Sequence, residues 1–170
     1  MFQLRTAGWL LNWLLLAAAG LGAARAEPSP IPVAVLEFDY LDTSGETREQ
    51  QAFHAERLRQ LASSLRADLE RSGHFRVVQM TCADAPCSIT ESDPAELVRA
   101  ARKAGARLLL FGGLHKMSTL VQWAKAQMVD VQTEQLVFDR LLTFRGDDTG
   151  AWQHAESFLV KDITTQPLIK

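Results

Sequence analysis

Ile31-Pro32-Val33-Ala34-Val35-Leu36-Glu37-Phe38 is an almost unbroken apolar run, rich in valine. Alternating apolar and polar residues would mark a strand with one wet face, whereas a continuous run marks a strand covered on both. The next segment carries Leu58, Leu61, Leu65 and Leu69 at helical spacing, with Phe53 nearby. Thr47-x-x-Gln50 reads as a capping box at its start, and Gly73 stands where a left-handed C-terminal cap belongs. Phe75 to Met80 reads as a second strand. Strand, helix and strand in that order form a parallel βαβ unit.

A second helix and strand follow. Asp93-Pro94-Ala95-Glu96 carries an N-cap, a first-turn proline and a reciprocal acid. Leu97, Val98, Ala101 and Ala104 then form an inner face, ended by Gly105, and a buried strand covers Arg107 to about Leu114. Beyond it the pattern changes. Leu120–Val131 and Leu136–Phe144 are strand-like and are joined by Gln132-Thr133-Glu134, as in an antiparallel hairpin. Trp152, Ala155, Leu159 and Ile163 mark a last helix with Asp148 as its N-cap. The order β-α-β-α-β-β-β-α predicts a single-domain α/β sandwich, a mixed sheet with helices packed on it.

Outward from this domain, residues 33–165, the chain has an N-terminal leader, an arm and a short tail at 166–170. Arg5, an uncharged stretch to Ala24 and then Ala24-Arg25-Ala26 follow the order of a secretory signal, predicting cleavage after Ala26 and a periplasmic or secreted product. Residues 27–32 hold three prolines and read as an extended arm. The formal charge is −2 over the whole chain, and loss of Arg5 and Arg25 makes it more negative. An acidic surface of this kind excludes a sequence-independent nucleic-acid binder and an electrostatic hold on anionic lipid after cleavage. Cys82 and Cys87 are expected to form a local disulfide in an oxidising compartment; their spacing fits neither a thiol oxidoreductase nor a zinc site.

Three stretches are candidate sites. The loop Asp39–Glu46 follows the first strand, where α/β sheets often bind ligands, but its acids would repel a phosphate. Asp39 with His54 could move a proton; His54 could equally be a half-buried histidine satisfied by a backbone group or water. After Gly112-Gly113, which suggest a bulge or a close backbone approach, His115, Lys116 and Ser118 could meet a partner. Trp123, Lys125, Gln127 and Val129 share one parity and could extend that contact. Arg145, Asp147 and Asp148 form a corner before the last helix, with Asp139 a further carboxylate near it. There the alternatives are helix capping and ion pairing, or a ligand or ion site. The sequence has no catalytic constellation, no metal-ligand spacing and no cofactor signature, so catalytic and metal residues are assigned as none.

Val33–Phe38 with the long helix after it, Leu110-Phe111-Gly112-Gly113-Leu114-His115-Lys116-Met117-Ser118, the paired strands and Arg145-Gly146-Asp147-Asp148 followed by Trp152 together resemble a family of secreted bacterial proteins of unknown function. The resemblance spans most of residues 31–165 and implies no activity, cofactor or site residue. The element order is also similar to the N-terminal domain of TolB and to periplasmic domains of the CsgG type. That likeness implies a non-catalytic envelope module whose partner is an exported protein or a second copy of itself. The alternative is a small-molecule or ion-binding protein, or a hydrolase, using Asp39 and His54 or the Arg145–Asp148 corner.

Overall fold

A computed structural model describes residues 29–46, 50–82 and 87–169. The leader (1–26), Thr47 of the expected capping box and the interior of the cysteine loop lie outside the described residues. The elements are β1 (Ile31–Val35), β2 (Asp39–Asp42), α1 (Gln51–Arg71), β3 (Phe75–Val77), α2 (Pro94–Lys103), β4 (Leu108–Lys116), β5 (Val121–Asp130), β6 (Gln135–Arg145) and α3 (Thr149–Thr165). They form one mixed six-stranded sheet in the order β3-β1-β4-β5-β6, with β2 also paired to β4. The βαβ half is parallel and the β4-β5-β6 half antiparallel.

β4 is the central strand, with β1 and β2 on one side and β5 on the other. Its even residues Leu108, Leu110 and Leu114 join Leu61, Leu65 and Leu69 of α1 and Trp152, Leu159 and Ile163 of α3 in the main core. Leu109 turns the opposite way and packs with Leu97 and Ala101 of α2. Helices therefore lie on both faces, but α2 is short and covers only the end of the sheet near β1. Asp93 caps α2 by accepting from the Ala95 and Glu96 amides, and Asp148 caps α3 by accepting from Ala151.

The apolar run that reads as one strand is divided in two. Val35 pairs with Leu110 and Asp39 with Gly113, so over this stretch the first strand carries one residue more than β4. The extra residue reverses the alternation of faces, as a bulge does. Val33 and Val35 point to the main core before the break, Phe38 and Tyr40 after it. Asp39–Asp42, expected as loop, is consequently strand β2. Four residues with two carboxylates and no apolar alternation carry no strand signal; the pairing is imposed by the length of β4.

Gly112 is the point where this break touches its neighbour. A Cβ there would fall onto the Lys125 carbonyl oxygen and 2.7 Å from the Phe38 ring. The pair Gly112-Gly113 thus answers a close approach of a side chain and a backbone within the sheet.

Other boundaries shift for local reasons. Gln50 is the N-cap of α1 and makes no side-chain cap bond; its amide is used elsewhere, as described below. Ile31 and Pro32, which read both as the end of the arm and as the start of the first strand, pair with Phe75 and Arg76. Cys82 and Cys87 are joined by a disulfide with Cα atoms 5.5 Å apart. Leu168 is buried in the main core, so part of the C-terminal tail packs with the domain.

Gly112→Ala is expected to destabilise the fold by about 2–3 kcal/mol, because neither a backbone carbonyl nor a packed ring can yield cheaply. Gly113→Ala places its Cβ 3.2 Å from the Asp39 carbonyl oxygen and should cost clearly less. Thermal or urea unfolding of the two variants side by side checks the order.

Candidate functional site

At the end of the sheet where β4 finishes, a set of charged side chains is buried under α1 and α3. Lys116, the last residue of β4, has the parity of Leu108, Leu110 and Leu114, so its side chain runs into the core and is 1% exposed. Its Nζ donates to Glu46 (2.6 Å), to Asp147 Oδ2 (2.7 Å) and to the Gln50 side-chain carbonyl (3.2 Å). His54 Nε2 donates to the same Oδ2 (3.0 Å). Asp147 Oδ1 accepts from Arg57 (2.8 Å), Gln122 (3.1 Å) and Trp152 Nε1 (3.3 Å). Arg57 also reaches the Asp147 backbone carbonyl. Tyr40 stacks on His54, with ring centroids 4.5 Å apart.

The sign of each charge is fixed by its neighbours. Burial works against the Asp147 carboxylate, but hydrogen bonds from Lys116 and His54 outweigh it and hold the group below the usual carboxylate range. Burial likewise opposes the Lys116 ammonium, and Asp147 and Glu46 together push its pKa up. Burial, then the charge of Asp147, raises Tyr40 well above an ordinary phenol, so it is neutral and no nucleophile. With both carboxylate oxygens occupied, Asp147 has no valence left for a ligand. The corner does the work of a clamp: it ties the segment before α1, α1 itself, the end of β4 and the β6–α3 connection to one carboxylate.

Beside the clamp, α1 and α3 enclose a cavity of about 270 Å³ lined by Arg57, Gln60, Leu61, Ser64, Thr149, Trp152, Gln153 and Glu156. Burial, with the charge of Asp68 adding to it, pushes the Glu156 carboxyl up to about 7.

The second feature lies on the opposite face of the sheet, beyond the reach of α2. There β2, β4, β5 and β6 present their odd residues. The register sets Leu41 beside His115, His115 beside Trp123 and Trp123 beside Thr143, with Gly113, Lys125 and Leu141 forming the adjacent row. His115 meets Trp123 edge to face at 5.9 Å and bonds the Thr43 hydroxyl at 2.7 Å. A shallow depression of about 410 Å³ follows these rows. Leu41 and Leu141 are 55% and 52% exposed, and Lys125 is paired with Asp139.

The residues singled out in sequence are therefore distributed over two faces. His115, Trp123 and Lys125 share the open face. Lys116 does not join them: it is buried in the clamp, and its parity with the leucines of β4 was the available signal. Ser118 accepts from the Leu120 and Val121 amides within the β4–β5 turn. His54 and Asp147 meet in the clamp, so the expectation of a half-buried histidine bonded to backbone or water is corrected. Asp39 is not near them, because alternation sends Tyr40 toward His54 and Asp39 to the other side, where it accepts from Ser88 and Thr90. Arg145 is on the open face and Asp148 caps α3, so the expected Arg145–Asp148 corner converges only through Asp147. Arg57, Gln122 and Glu156 were not singled out, and Glu46 only as one of the acids of the Asp39–Glu46 loop. Gln122 alone carried a readable signal, since it shares parity with the buried Ala124, Ala126 and Met128.

Asp147→Ala should destabilise the protein by about 3–5 kcal/mol, since it strands buried cations. The stabilisation by Asp147 is complete above its unfolded pKa, near 3.8, and is lost as pH falls through the lower folded value; acid unfolding curves of the wild type and Asp147→Asn test this. Glu156 acts in the reverse sense. Between 4.5 and about 7 the folded protein keeps a proton that the unfolded chain releases, so stability falls as pH rises through that window. Glu156→Gln should flatten this part of the stability–pH profile.

The comparisons with known proteins bear on the fold and the family. The hypothetical protein CT253 from Chlamydia trachomatis is 11% identical, with 79% of this chain and 96% of that one aligned and a TM-score of 0.54. The PelC dodecamer from Paraburkholderia phytofirmans is 18% identical over 84% of this chain and 90% of that one, with a TM-score of 0.50. TolB from Acinetobacter baumannii is 18% identical, with 82% of this chain aligned but only 29% of that one, at a TM-score of 0.49. At these identities the likeness is one of fold. No curated protein matches the chain. Residues 32–164 match the family model DUF3280, described as "Protein of unknown function (DUF2380)", and the chain belongs to that family.

Proposed function

We propose that this chain is a non-catalytic, exported module of the bacterial envelope that binds another exported protein on the open face of its sheet. The observation that carries the reading is the uncovered apolar floor formed by Leu41, Trp123 and Leu141. An exposed apolar patch on a folded domain marks an interaction surface more often than chance. The partner is a protein segment that contributes apolar side chains. Lys125 in the depression is already paired with Asp139, so an anionic ligand would find its cation occupied.

Two sequence features support export. The leader over residues 1–26 has the order of a secretory signal, and the Cys82–Cys87 disulfide suits an oxidising compartment. A ligand-binding or hydrolytic role has less support, because Asp147, the best-placed carboxylate, is saturated by its own chain.

The test is photo-crosslinking in intact cells, with a photoreactive residue in place of Trp123 and, as a control, in place of Gln153 on the helical side. A discrete adduct with one exported protein is expected from position 123 only, and Leu141→Asp should reduce its yield about tenfold by setting a charge in the apolar floor. Equal adducts from both positions, or a yield indifferent to Leu141→Asp, would refute the reading.

A further inference from the structure

Among the described residues, β6 has only one neighbouring strand. β5 pairs along its full length, and the other side, Gln135–Arg145, is a free edge. Long free edges normally carry bulges, prolines or lone lysines against pairing with another chain. Here the irregularity is confined to the turn end of β6: Met128 pairs with Phe138 and Val129 with Leu136, so Val137 is the extra residue. From Phe138 to Arg145 the pairing is regular and the stretch holds neither proline nor lysine.

The order of charges along this edge is self-complementary. In antiparallel pairing with a second copy, opposed residues share a face, and Asp139, Leu141, Thr143 and Arg145 are those of the open face. A two-fold axis through Leu142 sets Asp139 of each copy opposite Arg145 of the other, and Leu141 opposite Thr143. Centring one residue earlier sets Asp139 opposite Thr143 once the face rule is kept, and centring at Thr143 sets Asp139 opposite Asp147. Neither joins a carboxylate to a guanidinium. Arg145 has no side-chain hydrogen bond or ion pair among the described residues, so its charge is free to be answered.

α3 supplies the other layer. Asp162 reaches across to Arg140 of β6, which places that stripe of the helix above the edge. Phe158 lies one turn earlier on the same stripe and is 46% exposed. An edge-to-edge pair would bring Phe158 of both copies over the seam, with Leu141 beneath it.

We infer that a second copy of this chain pairs antiparallel along β6, with Leu142 on the two-fold axis and Asp139–Arg145 pairs closing both ends. The result is one continuous sheet across two copies. This goes beyond the binding of an exported partner on the open face and does not depend on it.

The experiment is analytical ultracentrifugation of the full-length gene product as the cell processes it, purified from the exported fraction. A dimer is expected at micromolar concentration. Arg145→Asp sets two carboxylates opposite each other, as Asp139→Arg sets two guanidinium groups, and each should weaken the dimer about tenfold or more. The double variant Asp139→Arg/Arg145→Asp restores both pairs and should return the dissociation constant to within about threefold of wild type. The thermal melt of Arg145→Asp should stay close to wild type, since that side chain is exposed; Asp139→Arg also loses the exposed Lys125 pair, a contact worth less than about 1 kcal/mol. A monomer at 100-fold higher concentration, a dimer unaffected by Arg145→Asp, or a double variant no tighter than the singles would overturn the inference.

Discussion

A lysine ammonium buried at the end of the central strand must be answered from within the protein, and the chain is arranged around doing so. Lys116 is carried inward by the parity of β4, and its three acceptors come from places distant in sequence: Glu46 and Gln50 before α1, and Asp147 after β6. Once Asp147 is fixed there, it organises the rest of the corner. His54 and Arg57 dock α1 onto it, Gln122 docks β5, and Trp152 docks the first turn of α3. The cost of leaving such a charge unpaired is several kcal/mol. That cost makes the relative placement of α1, α3 and the sheet specific rather than merely apolar.

The clamp and the open face divide the two sides of one sheet between two tasks. The side under α1 and α3 holds the leucine core and the satisfied charges. The other side is covered by α2 only near β1, and its free half carries Trp123, Leu41 and Leu141. β5 shows the division within a single strand: Gln122, Ala124, Ala126 and Met128 are buried, while Trp123 and Lys125 alternate with them on the open side.

Most elements were legible because their signals are local. Asp93 and Asp148 cap as their positions suggest, the leucine stripe of α1 and the Trp152–Ile163 stripe of α3 are buried, and the β5–β6 hairpin lies where its turn residues put it. β2 was not legible, since Asp39–Asp42 becomes a strand through its neighbour and not through its own residues. The capping-box reading failed at Gln50 for a tertiary reason as well, because its amide serves Lys116. At the site, composition misled: a lysine near glycines suggests a surface, and only the alternation along β4 shows that Lys116 turns inward. The convergence of His54 and Asp147 depends on the packing of α1 against the β6–α3 connection, which no local pattern encodes.

The division of the first strand also bears on the order in which the protein folds. The meander β4-β5-β6 joins neighbours in sequence and can form early. β1 must wait for Leu108–Leu110, and β2 for Gly113–Lys116, both far along the chain, and its one-residue offset must be in register before Phe38 can settle over Gly112. β1 can meet β3 through Phe75–Val77 early, but the two halves of the first strand are set in register with each other only when β4, as far as Lys116, is in place.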